Sequence, residues 1–123
     1  MDVNAIAKNF TDFYYQTFDA DRSRLAPLYR PESMLTWEGQ QILGVSAITE
    51  KLTSLPFSKV QHRVTTVDAQ PSVPATANLI VSVTGLLLVD DSVNPMPYTQ
   101  AFHLVSSDNS YYVYNDIFRL NLG

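Results

Sequence analysis

From residue 3 to residue 18 apolar side chains recur at helical spacing. Val3, Ile6, Ala7, Phe10, Phe13, Tyr14, Thr17 and Phe18 share one side, while Asp2, Lys8, Asn9, Asp12 and Gln16 share the other. The pattern predicts an amphipathic helix. "DADRSRLAPLYRP" breaks it, and Asp21 caps a short second helix carrying Leu25 and Leu28, which Pro27 and Pro31 keep short. "SMLTWEGQQILG" reads as a small hairpin with Gly39 at its turn. A third helix, roughly residues 45–54, begins at a cap on Ser46, presents Ile48, Leu52 and Leu55, and stops at Pro56.

Beyond Pro56 the period changes from helical to extended. Residues 60–67 are rich in β-branched side chains, 79–89 are strongly apolar, and "YTQAFHLVSS" and "YYVYNDIFRL" follow. "QPSVPATAN", "DDSVNP" and "SDNS" supply turn chemistry between them. Helices followed by consecutive strands predict an α+β domain over residues 1–123, with three N-terminal helices packed in an antiparallel sheet.

Two strands break the alternation expected of a sheet with one wet face. "LIVSVTGLLLV" and "YYVYNDIF" are apolar or aromatic at most positions, so both of their faces avoid water. Helices cover one face, and the other predicts a homodimer packed sheet to sheet.

Composition narrows the function classes. At 123 residues and 46% hydrophobic the chain can bury a core. Its formal charge of −4, with lysines and arginines scattered singly, argues against nucleic-acid binding and is compatible with a basic protein partner. There is no cysteine, which excludes disulfides, thiolate metal sites and a thiol nucleophile and fits a cytosolic or nuclear home. "MDVNAIAKNF" carries no cationic or apolar leader, and no apolar run is long enough to span a bilayer, so no membrane association is expected. The two histidines are too far apart to make a metal motif, and no phosphate loop or nucleophile elbow appears.

Four stretches carry candidate chemistry. Trp37, the only tryptophan, is followed by Glu38 and Gly39. On an ideal strand Trp37 and Glu38 point to opposite faces, so a shared pocket requires the strand to twist or end at Gly39; otherwise Trp37 is ordinary core. In "SLPFSKVQHR", Leu55, Phe57 and Val60 are either core plugs at a helix stop or walls of a cavity between helices and sheet, with His62 nearby. Asp90 and Asp91 suit a solvated hairpin turn or an acidic loop that receives basic residues. Asp116 falls inside an apolar strand and needs a partner if buried; Arg119 is the nearest cation in sequence.

In order and over nearly the whole chain, "FDADRSRL", "LTWEGQQ", "LPFSKVQH" and "NDIFRL" resemble the nuclear transport factor 2 family, above all its fungal members. The resemblance implies a cone-shaped α+β fold with a strongly curved sheet, a homodimer formed by the sheets, and no catalysis or cofactor. It implies binding of the GDP form of the small GTPase Ran. It also implies carriage through the nuclear pore by contact with phenylalanine-glycine repeat nucleoporins, hence a place in cytoplasm, nucleus and pore. Carried over position by position, Trp37, Leu55, Val60, Met96, Ile117 and Phe118 line a pocket for an aromatic side chain of Ran, and Glu38, His62, Asp90 and Asp91 stand at its rim. Two departures stand out. "DDSVNP" lacks the further acid of animal relatives, and Val3 replaces a large aromatic at the start of the first helix.

The rival reading is a small-molecule isomerase or dehydratase in the same cone, with Tyr14 or Tyr15 as donor and Glu38, Asp116 or His62 as base. A third reading is an interaction module of a longer chain; the end at Gly123 favours a free-standing homodimer.

Overall fold

The computed structural model describes residues 2–122; the chain end at Gly123 lies outside them. Helix α1 (Val3–Ala20) starts where the Asp2 carboxylate accepts a hydrogen bond from Ala5 N at 3.1 Å. Its apolar stripe buries Ala7, Tyr14, Tyr15 and Phe18, whereas Phe13, expected on that stripe, is exposed. Asp21 does cap the next helix, accepting from Ser23 N at 3.1 Å, but Arg22–Leu28 is a 3-10 helix rather than an α-helix. Pro27 sits inside it, and its missing N–H suits so short a piece.

Strand β1 (Tyr29–Trp37) and strand β2 (Gln40–Leu43) form the expected hairpin, so two strands precede the last helix instead of following all three. Helix α2 (Val45–Thr53) is capped not by Ser46 but by Gly44, at φ +91°. Gly44 N donates to Ser33 O at 2.8 Å, and a Cβ there would lie 3.3 Å from Pro31 O. That close approach explains a glycine where a side-chain cap was expected.

Strands β3 (Val60–Pro71), β4 (Leu79–Val89), β5 (Met96–Ser107) and β6 (Ser110–Leu120) complete one sheet ordered β2-β1-β6-β5-β4-β3. The expectation of an antiparallel sheet needs one correction, because β1 and β6 pair in parallel. No hairpin joins them, so nothing forces the antiparallel sense. The end strands β2 and β3 do not meet, and the sheet curls around α1 without closing. Tyr14 and Tyr15 of α1 reach β6 and β5, while the same helix packs on β3.

The inner face of the sheet carries the core: Leu79, Val81, Val83 and Leu87 from β4, Tyr98, Phe102 and Leu104 from β5, and Val113 and Phe118 from β6. The outer face presents Ile80 and Ile117, both exposed, around a shallow depression of about 300 Å3 that Ala101, His103 and Asn115 also line. Among the described residues no helix is long and apolar enough to cross a membrane.

Candidate functional site

The strand directions gather one end of the sheet. The last residues of β1, β4 and β6 and the first of β3 and β5 meet there, bringing Trp37, Phe118, Val60 and Met96 together from four strands. Leu55, on the segment after α2, joins them in the core.

Five aromatic rings form a closed circuit at this end. Trp37 stacks on Phe118 at 4.1 Å between centroids, and Phe118 stacks on Tyr98 at 5.4 Å. Tyr98 meets His62 edge-on at 5.5 Å, His62 meets Phe18 edge-on at 4.8 Å, and Phe18 lies parallel to Trp37 at 6.3 Å. Offset-stacked and edge-to-face pairs at these separations are the favoured geometries. The rings fill this end of the core with the chain's own side chains. At this end of the sheet Trp37, Leu55 and Val60 are each 8–9% exposed, beside half-buried Met96.

Sequence reasoning did not mark Phe18 or Tyr98 as members of this circuit. Phe18 reads only as a helix-stripe residue, and Tyr98 as one of several strand tyrosines. Ile117, expected in the pocket, lies elsewhere. It alternates with Phe118 and points to the outer face, 52% exposed.

His62, expected at the rim, is instead buried among aromatic rings, its side chain 1% exposed. Its Nδ1 lies 2.6 Å from Asp19 Oδ1, its backbone N donates to Asp19 Oδ2 at 3.0 Å, and its ring stacks on Tyr15 at 4.4 Å. Phe57 is clamped by Arg22, whose guanidinium sits 5.0 Å from the ring centroid and donates to Phe57 O at 3.0 Å.

The rim acids share a device. Glu38 and Asp90 both take left-handed backbone, each at φ +50°. Glu38 and Gly39 form a two-residue turn with two positive φ values, the turn that matches strand twist, though glutamate is an uncommon occupant. The strand ends at Trp37, and Glu38 is exposed on the turn that follows. Glu38 N donates to Phe118 O at 3.0 Å, and its carboxylate accepts from Leu120 N. Asp90 Oδ1 accepts from Ser58 N at 2.9 Å and Lys59 N at 3.0 Å, which holds its carboxyl below the usual carboxylate range. Asp91 is exposed on the same turn. Cations interrupt this rim: Lys59 is beside Asp90, and the Arg119 guanidinium lies against Gly39, where a Cβ would meet it at 3.5 Å.

The profile of the Nuclear transport factor 2 (NTF2) domain matches residues 6–120. The chain belongs to the nuclear transport factor 2 family. It is 59% identical over 121 residues to nuclear transport factor 2 of Candida glabrata, covering 98% of this chain and 96% of that one. It is 58% identical over 121 residues to nuclear transport factor 2 of Saccharomyces cerevisiae, with the same coverage. The solved structure of nuclear transport factor 2 from Cryptosporidium parvum superposes with a TM-score of 0.90 at 43% identity, covering 97% of this chain and 94% of that one. These relatives are named as transport factors, and the protein is not an enzyme.

The buried acid of the enzyme reading has a structural place in this family member. Asp116 accepts from Tyr29 Oη at 2.7 Å, Tyr14 Oη at 3.2 Å and Gln100 Nε2 at 2.8 Å. Arg119 is not its partner, because it sits on the other face of β6. Burial pushes the Asp116 carboxyl up to about 6 against the opposing pull of its three hydrogen bonds. Burial also holds the phenols of Tyr14, Tyr15 and Tyr29 well above their ordinary range, so they remain donors. Asp116, Tyr14, Tyr29 and Gln100 are each at most 3% exposed, so the group is sealed among its own partners.

Proposed function

We propose that the chain carries the GDP form of the small GTPase Ran through the nuclear pore, touching phenylalanine-glycine repeat nucleoporins on the way. It would therefore move between cytoplasm, nucleus and pore. The observation that carries the reading is the meeting, at one end of the sheet, of aromatic and aliphatic side chains with acids on two turns at that same end. Trp37, Leu55, Val60 and Met96 would make the mouth over buried Phe118, and Glu38, Asp90 and Asp91 would make the rim, with the His62 side chain buried behind it. The names of the relatives and the match along the whole domain support it.

An aromatic side chain entering the mouth contributes about 1.5–3 kcal/mol. Two or three exposed ion pairs at the rim add about 0.2–1 kcal/mol each, and association entropy opposes them. The sum falls short of the roughly 12 kcal/mol of a nanomolar complex, which suits cargo released after one crossing. Release follows when nucleotide exchange withdraws the inserted segment. Repeat contacts must be weaker and numerous, since a carrier held tightly would stall in the pore. Val3, at the first turn of α1, is half-buried against the core and offers those repeats little surface.

The exposed apolar outer face, with Ile80 and Ile117, supports a homodimer joined sheet to sheet. The test is a titration with Ran loaded with GDP and, separately, with a GTP analogue. The GDP form should bind and the GTP form should not. Glu38→Lys should abolish binding by placing like charge against a basic partner, while the circular dichroism spectrum stays that of the wild type. Unchanged affinity of this variant would reject the rim assignment.

A further inference from the structure

The turn that carries Glu38 clasps β6 on both sides of Arg119. Glu38 N donates to Phe118 O at 3.0 Å, and the Glu38 carboxylate accepts from Leu120 N. Arg119 leaves the strand on the outer face, opposite in sense to Phe118, and its exposed guanidinium lies across Gly39. A Cβ on Gly39 would stand 3.5 Å from one terminal nitrogen of that guanidinium and 3.9 Å from the other. Gly39, at φ +85°, suits the turn and also leaves the guanidinium a bare seat. The group thus leans toward the end of the sheet and takes no part in lining the Ile80–Ile117 depression.

The other cations at this end are engaged. Arg22 donates to Phe57 O at 3.0 Å and covers the Phe57 ring, and Lys59 stands beside the Asp90 carboxylate. Ion pairs among the described residues join Lys8 to Asp12 and His62 to Asp19. Arg119 has no hydrogen bond from its side chain, no ion pair and no aromatic ring to cover among those residues. Glu38, on the turn that it touches, is turned to Leu120 N instead.

We propose that Arg119 is a cargo-binding residue of the rim, taking a carboxylate that the cargo carries beside its inserted aromatic side chain. This rests on the carrier reading above and deepens it. A rim of Glu38, Asp90 and Asp91 alone accepts any basic segment. A cation set among them favours a segment with an acid at the matching place and repels one that is basic throughout. A guanidinium suits the task, because it is always charged and its planar fork takes both oxygens of a carboxylate. Its seat on Gly39 reduces the freedom it has to lose on binding.

Arg119→Ala separates this role from that of a bystander. In a calorimetric titration against Ran loaded with GDP, loss of a paired cation should weaken binding about fivefold, the upper end for an exposed ion pair. Loss of a bystander cation would instead strengthen the attraction of an acidic rim for a basic partner. The gap between variant and wild type should narrow as salt is raised. Arg119→Lys, which keeps the charge and loses the fork, should fall between the two. Arg119→Ala should keep the urea midpoint and the sedimentation of the wild type. Equal or tighter binding by Arg119→Ala overturns the inference alone. Weaker binding with a lowered midpoint also overturns it, since the side chain then supports the turn. So does weaker binding with altered sedimentation, which places the acceptor on a second copy of the chain. A wild-type chain that does not bind the GDP form overturns the carrier reading and this inference with it.

Discussion

Trp37 and Phe118 are register partners in the parallel pair of β1 and β6, and their rings lie 4.1 Å apart at an interplanar angle of 7°. One residue thus serves two purposes. Its face is core, stacked between Phe118 and Phe18, and its remaining 8% exposure is the edge that the carrier reading assigns to the cargo.

Trp37→Ala should consequently damage both stability and binding. Removing so large a buried side chain costs about 3–5 kcal/mol. Urea denaturation should show that loss, and titration with the GDP form of Ran should show binding falling below detection under conditions where the variant is still folded. Destabilisation with unchanged affinity would reduce Trp37 to a core residue.

Asp116 should make stability depend on pH in an unusual direction. The folded state holds its proton more tightly than the unfolded chain does, with the carboxyl raised from 3.8 to about 6. The contribution of this group is therefore fully present below about pH 4 and is lost as pH rises through about 6. A shift of that size corresponds to a few kcal/mol, on the order of 3. Asp116→Asn, which stays neutral and can still accept from Tyr29 but turns its amide N–H toward Gln100 Nε2, should remove this slope whatever its absolute stability. Denaturation midpoints measured at half-unit intervals from pH 4 to 7 test it. Parallel profiles for the two proteins would show that the acid titrates normally.

Much of this architecture was legible in the sequence. The helical stripe of α1, the hairpin around Gly39 and the four later strands follow from periodicity and turn chemistry, because each is decided by neighbours along the chain. What was not legible depends on residues far apart. The parallel pairing of β1 with β6 has no local signal. Glycine capping of α2 follows from the approach of Pro31, which only the folded chain reveals. The residues the resemblance assigns to a pocket, Trp37, Leu55, Val60, Met96 and Phe118, are gathered by the fold at one end of the sheet. Ile117 failed the same carry-over, although strand alternation beside Phe118 would have sent it to the outer face. Asp116 was flagged as needing a partner, yet its partners come from α1, β1 and β5 rather than from Arg119.

The displaced residue gives the sharpest test of assembly. Ile117 pairs with Ala101 on the outer face, 52% exposed, beside Ile80 at the shallow depression. Nothing in the monomer needs an isoleucine there, and surface substitutions of this kind change monomer stability by about 0.5 kcal/mol or less. Across a two-fold sheet-to-sheet interface the same substitution acts twice, since an isologous contact repeats every residue. Ile117→Glu would bury two like charges without partners, a cost of several kcal/mol. Sedimentation at micromolar concentration should therefore give twice 13.8 kDa for the wild type and 13.8 kDa for the variant. The variant should keep the circular dichroism spectrum of a folded chain. A wild type that sediments at 13.8 kDa, or a variant that stays dimeric, would show that this face is not the interface.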